Sequence, residues 1–320
     1  MRVVLVIPAL ATLGAPLAGM QSLARLAAYA GAPVIEPRGA TPLLLAALGL
    51  PPDTPPAPLA ARGAGMAIAD GDVQFADPVN LVAGRDDVLL AGRVDDLAEA
   101  DGVALVAHCN AHFAGDGLVF TAPRPDAWFV VSRGVLLPTT TPLADVAGAI
   151  APQLPRGAHA KPWRRWISEM QMLLHEHPVN VRREAQGRAP VTGIWLWGGG
   201  AALLSAPPHP FAIAAAAGRD GDVARGLGAD APAPTRFADL AQDRDALVVL
   251  PAARDAAALP ALARDWLDPL LAALERGTVR EVSLVIDDGG TALAWHAHAP
   301  SWWRRMRAGS ARFVLPERAR

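Results

Sequence analysis

The chain has 320 residues, longer than one hydrophobic core usually grows, so two lobes are expected. Hydrophobic residues make up 52% and charged residues 19%, and the apolar share leans on alanine, which favours helices laid on a sheet over a tyrosine-rich β-sandwich. A formal net charge of −2, from 29 basic and 31 acidic residues, argues against the electrostatic footprint of a nucleic-acid binder.

In chain order, "RVVLVI" near the start reads as a buried parallel strand, because it is a continuous β-branched and leucine run. Pro8 interrupts the apolar stretch, and the buried strand accounts for the same residues as a secretory signal would. A helix is expected over Met20 to Tyr29, then a short strand in "APVIEP". "TPLLLAALGL" reads as a helix with Pro42 in its first turn and Gly49 at its end. "PPDTPPAP" at 51–58 reads as a loop or linker. From about 66 to 190 the texture changes. "VDDLAEADGVALVAHCNAHF" is mostly helical, and "GLVFTAPRPDAWFVVS" gives two strands around a turn. In "PWRRWISEMQMLLHEHP", Trp163, Trp166, Ile167, Met170 and Leu174 follow i, i+3, i+4, i+7, i+11, one face of a helix that Pro178 stops. "GIWLWGGG" reads as a strand ending in a turn, whose glycines permit a sharp re-entry of the chain. After it, the segments "DALVVLPAA", "LPALARDWLDPLLAALERG" and "VREVSLVIDD" give strand, helix and strand, with Gly277 at the helix C-terminus. Both ends of the chain are thus α/β, with a different piece inserted between them.

Several residues carry chemistry. His108 and His112 share a helix face and could hold zinc, but no third ligand comes at helical spacing, so partly buried structural histidines are the preferred reading. His175 and His177 close a helix, where a cationic imidazole complements the dipole. Asp287 and Asp288 end a strand before "GGT", where α/β proteins place ligands, or else form an ordinary turn. Arg164, Arg165, Arg182, Arg183 and Arg188 make either an anion-binding surface or a solvated helix face; Arg182 and Arg183 of this set, with Asn180, are the ligand-binding candidates. Trp302 and Trp303 in "SWWRRMR" are either an exposed aromatic anchor or a cover for the sheet edge. Cys109 is the only cysteine, so no intrachain disulfide forms and a reduced, cytoplasmic setting is expected. No stretch reaches the roughly 18 apolar residues of a membrane span, and no membrane partner is expected.

The run "MLLHEHPVNVRREAQGRAPVTGIWLWGGG" resembles the archaeal-type cofactor-independent phosphoglycerate mutases. Together with "FADPVNLVAGRDDVLL" and "HCNAHFAGDGLVFTAPRPDAWFVV", it is similar to the RpfE-type regulatory proteins, bacterial relatives of those mutases. The resemblance implies an α/β fold with an alkaline-phosphatase-like, mostly parallel sheet flanked by helices. Residues 1–65 and 200–320 would form that core and residues 66–199 an inserted α+β lobe.

Active relatives use two divalent metals, manganese or magnesium, to activate a hydroxyl nucleophile. Position by position, the resemblance places Thr41 in the nucleophile slot. Asp255, Asp287, Asp288 and His296 are the remnants of the metal set, while Pro8 and Leu259 stand where ligands belong. Hydrocarbon cannot coordinate a cation, so a binding or regulatory protein without metals is expected. Its partner would be a regulatory protein or a small phosphorylated metabolite. The alternative is an active metal-dependent phosphomutase or phosphatase with Thr41 as nucleophile.

Overall fold

The computed structural model describes residues 1–316 apart from 69–70, 86, 134–139, 144–145, 147, 156–159, 201–207, 229–230, 242 and 309–310. In chain order the elements begin with β1 (Arg2–Ile7), α1 (Gln21–Ala30), β2 (Val34–Glu36), α2 (Ala40–Ala47) and α3 (Pro56–Gly63). Next come β3 (Asp72–Ala83), β4 (Val88–Arg93), α4 (Glu99–Phe113), β5 (Leu118–Arg124), β6 (Ala127–Ser132), α5 (Ala160–His175), α6 (Pro178–Ala185) and β7 (Gly193–Gly200). The chain finishes with β8 (Ala212–Ala215), α7 (Arg219–Gly226), β9 (Ala246–Val249), α8 (Leu259–Leu262), α9 (Asp268–Arg276), β10 (Glu281–Asp287), β11 (Ala292–His298) and α10 (Trp302–Ala308). No described helix is long and apolar enough to cross a membrane.

Two compact units result, one from Met1–Thr54 with Ala206–Arg320 and one from Pro55–Ser205. In the first unit the strand order is β2-β11-β10-β1-β9-β8. The four strands β8, β9, β1 and β10 run parallel, and β11 and β2 add antiparallel pairs at one edge. The α/β class with a mostly parallel sheet is therefore present. β1 sits at the sheet's centre, which is why its residues are apolar on both faces. Val3, Leu5 and Ile7 pack with Leu23, Leu26, Trp266 and Leu270 in one cluster, while Val4 and Val6 alternate onto the other face. The helix between β9 and β10 ends at Gly277, whose φ of 80° is the left-handed cap expected there.

The second unit is antiparallel, in the order β4-β3-β6-β5, with β7 also paired to β3. Its helices contribute a core in which Trp163, Trp166, Met170 and Leu174 of α5 meet Ile194 and Leu196 of β7. The i, i+3, i+4 pattern of α5 does bury that stripe.

Three local expectations change. "PPDTPPAP" is not wholly a loop, because Pro56 and Pro58 lie in the first turn of α3, where a missing amide hydrogen costs nothing. Pro178 does not simply stop a helix. α5 ends at His175 and Pro178 opens α6 at its first position. The glycines of "WLWGGG" do not form the turn expected of them but remain in β7. A Cβ on Gly199 would lie 2.2 Å from Gln74 Cγ, and one on Gly200 would lie 2.5 Å from Pro55 Cγ. Close packing excludes side chains there. Trp197 packs against Phe75 with ring centroids 4.7 Å apart and donates from Nε1 to the buried Asp77 carboxylate at 2.6 Å. The re-entry expected after the glycines falls on 201–207, outside the described residues.

Candidate functional site

The C-terminal ends of the parallel strands gather the groups worth attention, at the edge where open α/β sheets place ligands. β10 delivers Asp287 as its last residue. Its carboxylate accepts the Ala9 N–H at 3.1 Å and the Gly289 N–H at 2.8 Å. Ala9, just past β1, has φ of 61°, an uncommon left-handed conformation for alanine, and this geometry turns its N–H toward Asp287. The next residue, Asp288, closes a turn by accepting the Gly290 and Thr291 N–H groups, each at 2.9 Å. Thr41 lies in the first turn of α2 and donates its hydroxyl to Asp220 at 2.7 Å. Asp220 stands in the first turn of α7, a favourable place for an anion beside a helix N-terminus.

Electrostatics link these groups. Burial raises the Asp287 carboxyl to about 6, with the nearby Asp220 charge adding to the rise and the Ala9 and Gly289 hydrogen bonds opposing it. Burial likewise raises Asp220, against the lowering effects of the Thr41 hydroxyl and the Arg219 charge. Two carboxylates that each make the other harder to ionise titrate as a pair.

The remaining predicted residues lie apart from this cluster or have other partners. Asp255 is exposed and caps a short turn by accepting the Ala257 N–H at 2.9 Å. His296 bonds Ser283 at 2.9 Å on the neighbouring strand. Ser283 is four residues before Asp287 on β10, about 13 Å at the usual strand rise. Leu259 is buried in the core, so the position where the resemblance calls for a metal ligand points into hydrocarbon. Pro8 accepts the Ala253 N–H through its carbonyl at 2.8 Å. Among the described residues, no three His, Cys, Asp or Glu side chains converge as a metal set.

In the second unit, Asn180 is buried and ties α6 to the end of α5 and to the segment leading into β7. It donates to Leu174 O and Val191 O, each at 2.7 Å, and accepts the Val191 N–H. Arg183 is buried too, donating to Ala189 O at 2.8 Å and pairing with Asp96, whose carboxyl it holds below the usual range. Arg182 is exposed and bonds Asp101 at 2.6 Å. Arg165 is exposed and pairs with Asp116 and Glu169. His112 approaches Glu169 at 3.6 Å, and His108 packs its ring against His177 at 4.9 Å.

His177 corrects an expectation. It is the N-cap of α6, not a cation at the end of α5, and its Nδ1 accepts the Val179 N–H at 3.2 Å. That bond requires a neutral ring, and burial, His108 and Arg182 all depress its pKa. A depressed histidine pKa means that stability is intact above the unfolded value of 6.5 and falls as pH drops through the folded value. His177→Asn keeps a capping acceptor without a titrating ring. Denaturant unfolding of this variant should show less loss between about pH 7 and pH 5 than wild type. An identical pH slope in both proteins would remove His177 as its source.

Asp220 was not among the residues singled out from sequence, although it is the group that touches Thr41. Its signal, an aspartate in "GRDGD" at a helix start, is the ordinary signature of a helix N-terminus. Nothing local distinguishes it.

The class defined so far is an α/β protein with a carboxylate and hydroxyl cluster at the C-terminal edge of a mostly parallel sheet. No family model matches the chain. Over 146 residues it is 30% identical to 2,3-bisphosphoglycerate-independent phosphoglycerate mutase 2 of Methanothermobacter thermautotrophicus, covering 45% of this chain and 36% of that protein. Over 179 residues it is 30% identical to a probable 2,3-bisphosphoglycerate-independent phosphoglycerate mutase of Geobacter sulfurreducens, covering 53% and 44%. The chain thus matches less than half the length of these relatives. Among solved structures, a cofactor-independent phosphoglycerate mutase from Thermoplasma acidophilum aligns over 97% of this chain and 94% of its own, with a TM-score of 0.41 and 18% identity. The chain is related to phosphoglycerate mutases over part of its length.

Proposed function

We propose that this is a phosphoglycerate mutase-like protein of the RpfE type, on an alkaline-phosphatase-like core, that has lost two-metal catalysis and acts by binding. The observation that carries this reading is Leu259, buried in the hydrophobic core at a position where the resemblance calls for a metal ligand. A hydrocarbon side chain there offers a cation no donor. Asp287 and Asp288 turn oxygens to backbone N–H groups, and Asp255 and His296 have partners of their own. Two hard cations need dense oxygen and nitrogen donors, and the donor set present does not fit them. The ligand would be a small phosphorylated metabolite or a regulatory protein.

Metal analysis of the purified protein with a thermal-shift screen of phosphorylated metabolites tests this. Expected are no stoichiometric manganese or magnesium and a melting temperature that rises with ligand concentration. Two tightly bound manganese ions with turnover of 3-phosphoglycerate would refute it.

The second reading is an active phosphotransferase, with manganese or magnesium held by Asp255, Asp287, Asp288 and His296. One observation favours it: a hydroxyl within hydrogen-bond reach of a carboxylate whose pKa is raised has general-base geometry. Thr41→Ala separates the two. Under the binding reading it costs about 1 kcal/mol of stability and leaves any basal activity unchanged. Loss of a measured phosphotransfer activity in that variant would support catalysis.

A further inference from the structure

The last twenty residues, "SWWRRMRAGSARFVLPERAR", carry six arginines and one glutamate, a net charge of +5 in a chain whose total is −2. The first 300 residues therefore sum to −7. This concentration of positive charge coincides with the most exposed aromatic surface among the described residues. Trp302 and Trp303 are 57% and 59% exposed, and Met306, one helical turn along α10, is 67% exposed. On a helical projection the three fall within about 100° of one another. The two indoles stack at 3.7 Å with a 27° tilt, so they form one apolar ridge.

Helices on a folded domain normally turn such a stripe inward. Here the segment is held by other means. Phe313 is buried and packs on Trp295 at 5.4 Å, and Ala311 and Leu315 lie against the same core. Trp302, Trp303 and Met306 are thus left in solvent by a segment that is itself anchored on both sides, by β11 before it and Phe313 after it. Arg305 of α10 and Arg312 of the segment that follows are exposed as well.

We infer that this segment is a peripheral docking surface for an anionic lipid membrane. Two features choose that occupant. The first is charge complementarity: each arginine close to an anionic bilayer strengthens binding about five-fold, so a cluster of this size reaches useful affinity without a span. The second is footprint. Three exposed apolar side chains on a seven-residue helix fall far short of the roughly 800 Å² per partner of a standard protein interface. A fluid interface demands no such area. Tryptophan suits it, with an apolar body and a polar N–H that sits at headgroup level. Binding of this kind is reversible and weakens with salt.

Co-sedimentation of the full chain with vesicles tests the inference. Vesicles of phosphatidylcholine mixed with phosphatidylglycerol are compared with phosphatidylcholine alone. Expected is binding to the mixed vesicles only, released by high salt. The Trp302→Ala/Trp303→Ala variant should bind at least about tenfold more weakly with an unchanged melting temperature, since those rings are already exposed. An Arg304→Gln/Arg305→Gln/Arg307→Gln variant should lose the dependence on phosphatidylglycerol. A chain that stays in solution with both vesicle types would overturn the inference, as would a tryptophan variant that binds like wild type. So would a self-associating chain whose dimer, measured by light scattering, dissociates on the tryptophan substitutions.

Discussion

Replacing Gly221 by alanine should destabilise the first unit by about 3 kcal/mol, and the melting temperature should fall accordingly. A Cβ at this position would lie 1.9 Å from the Ala216 carbonyl oxygen. That oxygen is a backbone atom, and it already accepts a hydrogen bond from Arg225 at 2.8 Å, while Arg225 also pairs with the buried Asp222. Nothing in the contact can yield by rotating a side chain. Either the start of α7 or the end of β8 must move, and Asp220 moves with α7. The variant should therefore also break the hydrogen bond between Thr41 and Asp220. Gly19→Ala is the control, because nothing lies within 4 Å of its Cβ and its φ is not left-handed. It should change stability by less than about 0.5 kcal/mol. Equal melting temperatures for the two variants would show that α7 is not held where the structure has it.

Asp287→Asn should make the protein more stable at neutral and alkaline pH, by on the order of 2 kcal/mol near pH 8. The sign follows from the direction of the shift. Burial raises the folded carboxyl to about 6 from an ordinary 3.8. Below the unfolded value the group is neutral in both states and imposes no penalty. As pH rises through the folded value, the native state must ionise a buried carboxyl beside Asp220, and stability is lost. Asparagine keeps an oxygen for the Ala9 and Gly289 N–H groups but never ionises. Chemical denaturation from about pH 4 to pH 8 should show the two proteins converging at the acid end, separating between about pH 4 and pH 6, and keeping a constant difference above that. Because the carboxylates titrate together, part of the wild-type slope should persist in the variant through Asp220. If the variant were no more stable than wild type at the alkaline end, the raised carboxyl pKa would be wrong.

Both variants act on a cluster that no stretch of sequence displays. Thr41 and Asp220 are 179 positions apart, and Ala9 and Asp287 are 278 apart. The resemblance to phosphoglycerate mutases put Thr41, Asp287 and Asp288 on a list of candidates, but it also put Asp255 and His296 there. Asp255 instead caps its own turn, and His296 is turned to Ser283. Asp220, in direct contact with Thr41, carried no signal beyond that of a helix start.

What the amino-acid order determined by itself is local. β-branched runs made β1 and β10 buried parallel strands, the 3.6-residue stripe of α5 chose its core face, and Gly277 ended α9, because each depends on neighbours within one turn or one strand. Only the tertiary structure decided what those elements bring together. Gln74 and Pro55 reserved the space beside "GGG", α6 converted His177 from a closing residue into an opening one, and the sheet edge set Asp220 beside Thr41. Hydrogen bonds and packing contacts act over a few ångströms in space whatever the separation along the chain. A residue's neighbours, and with them its charge state and role, are therefore properties of the fold.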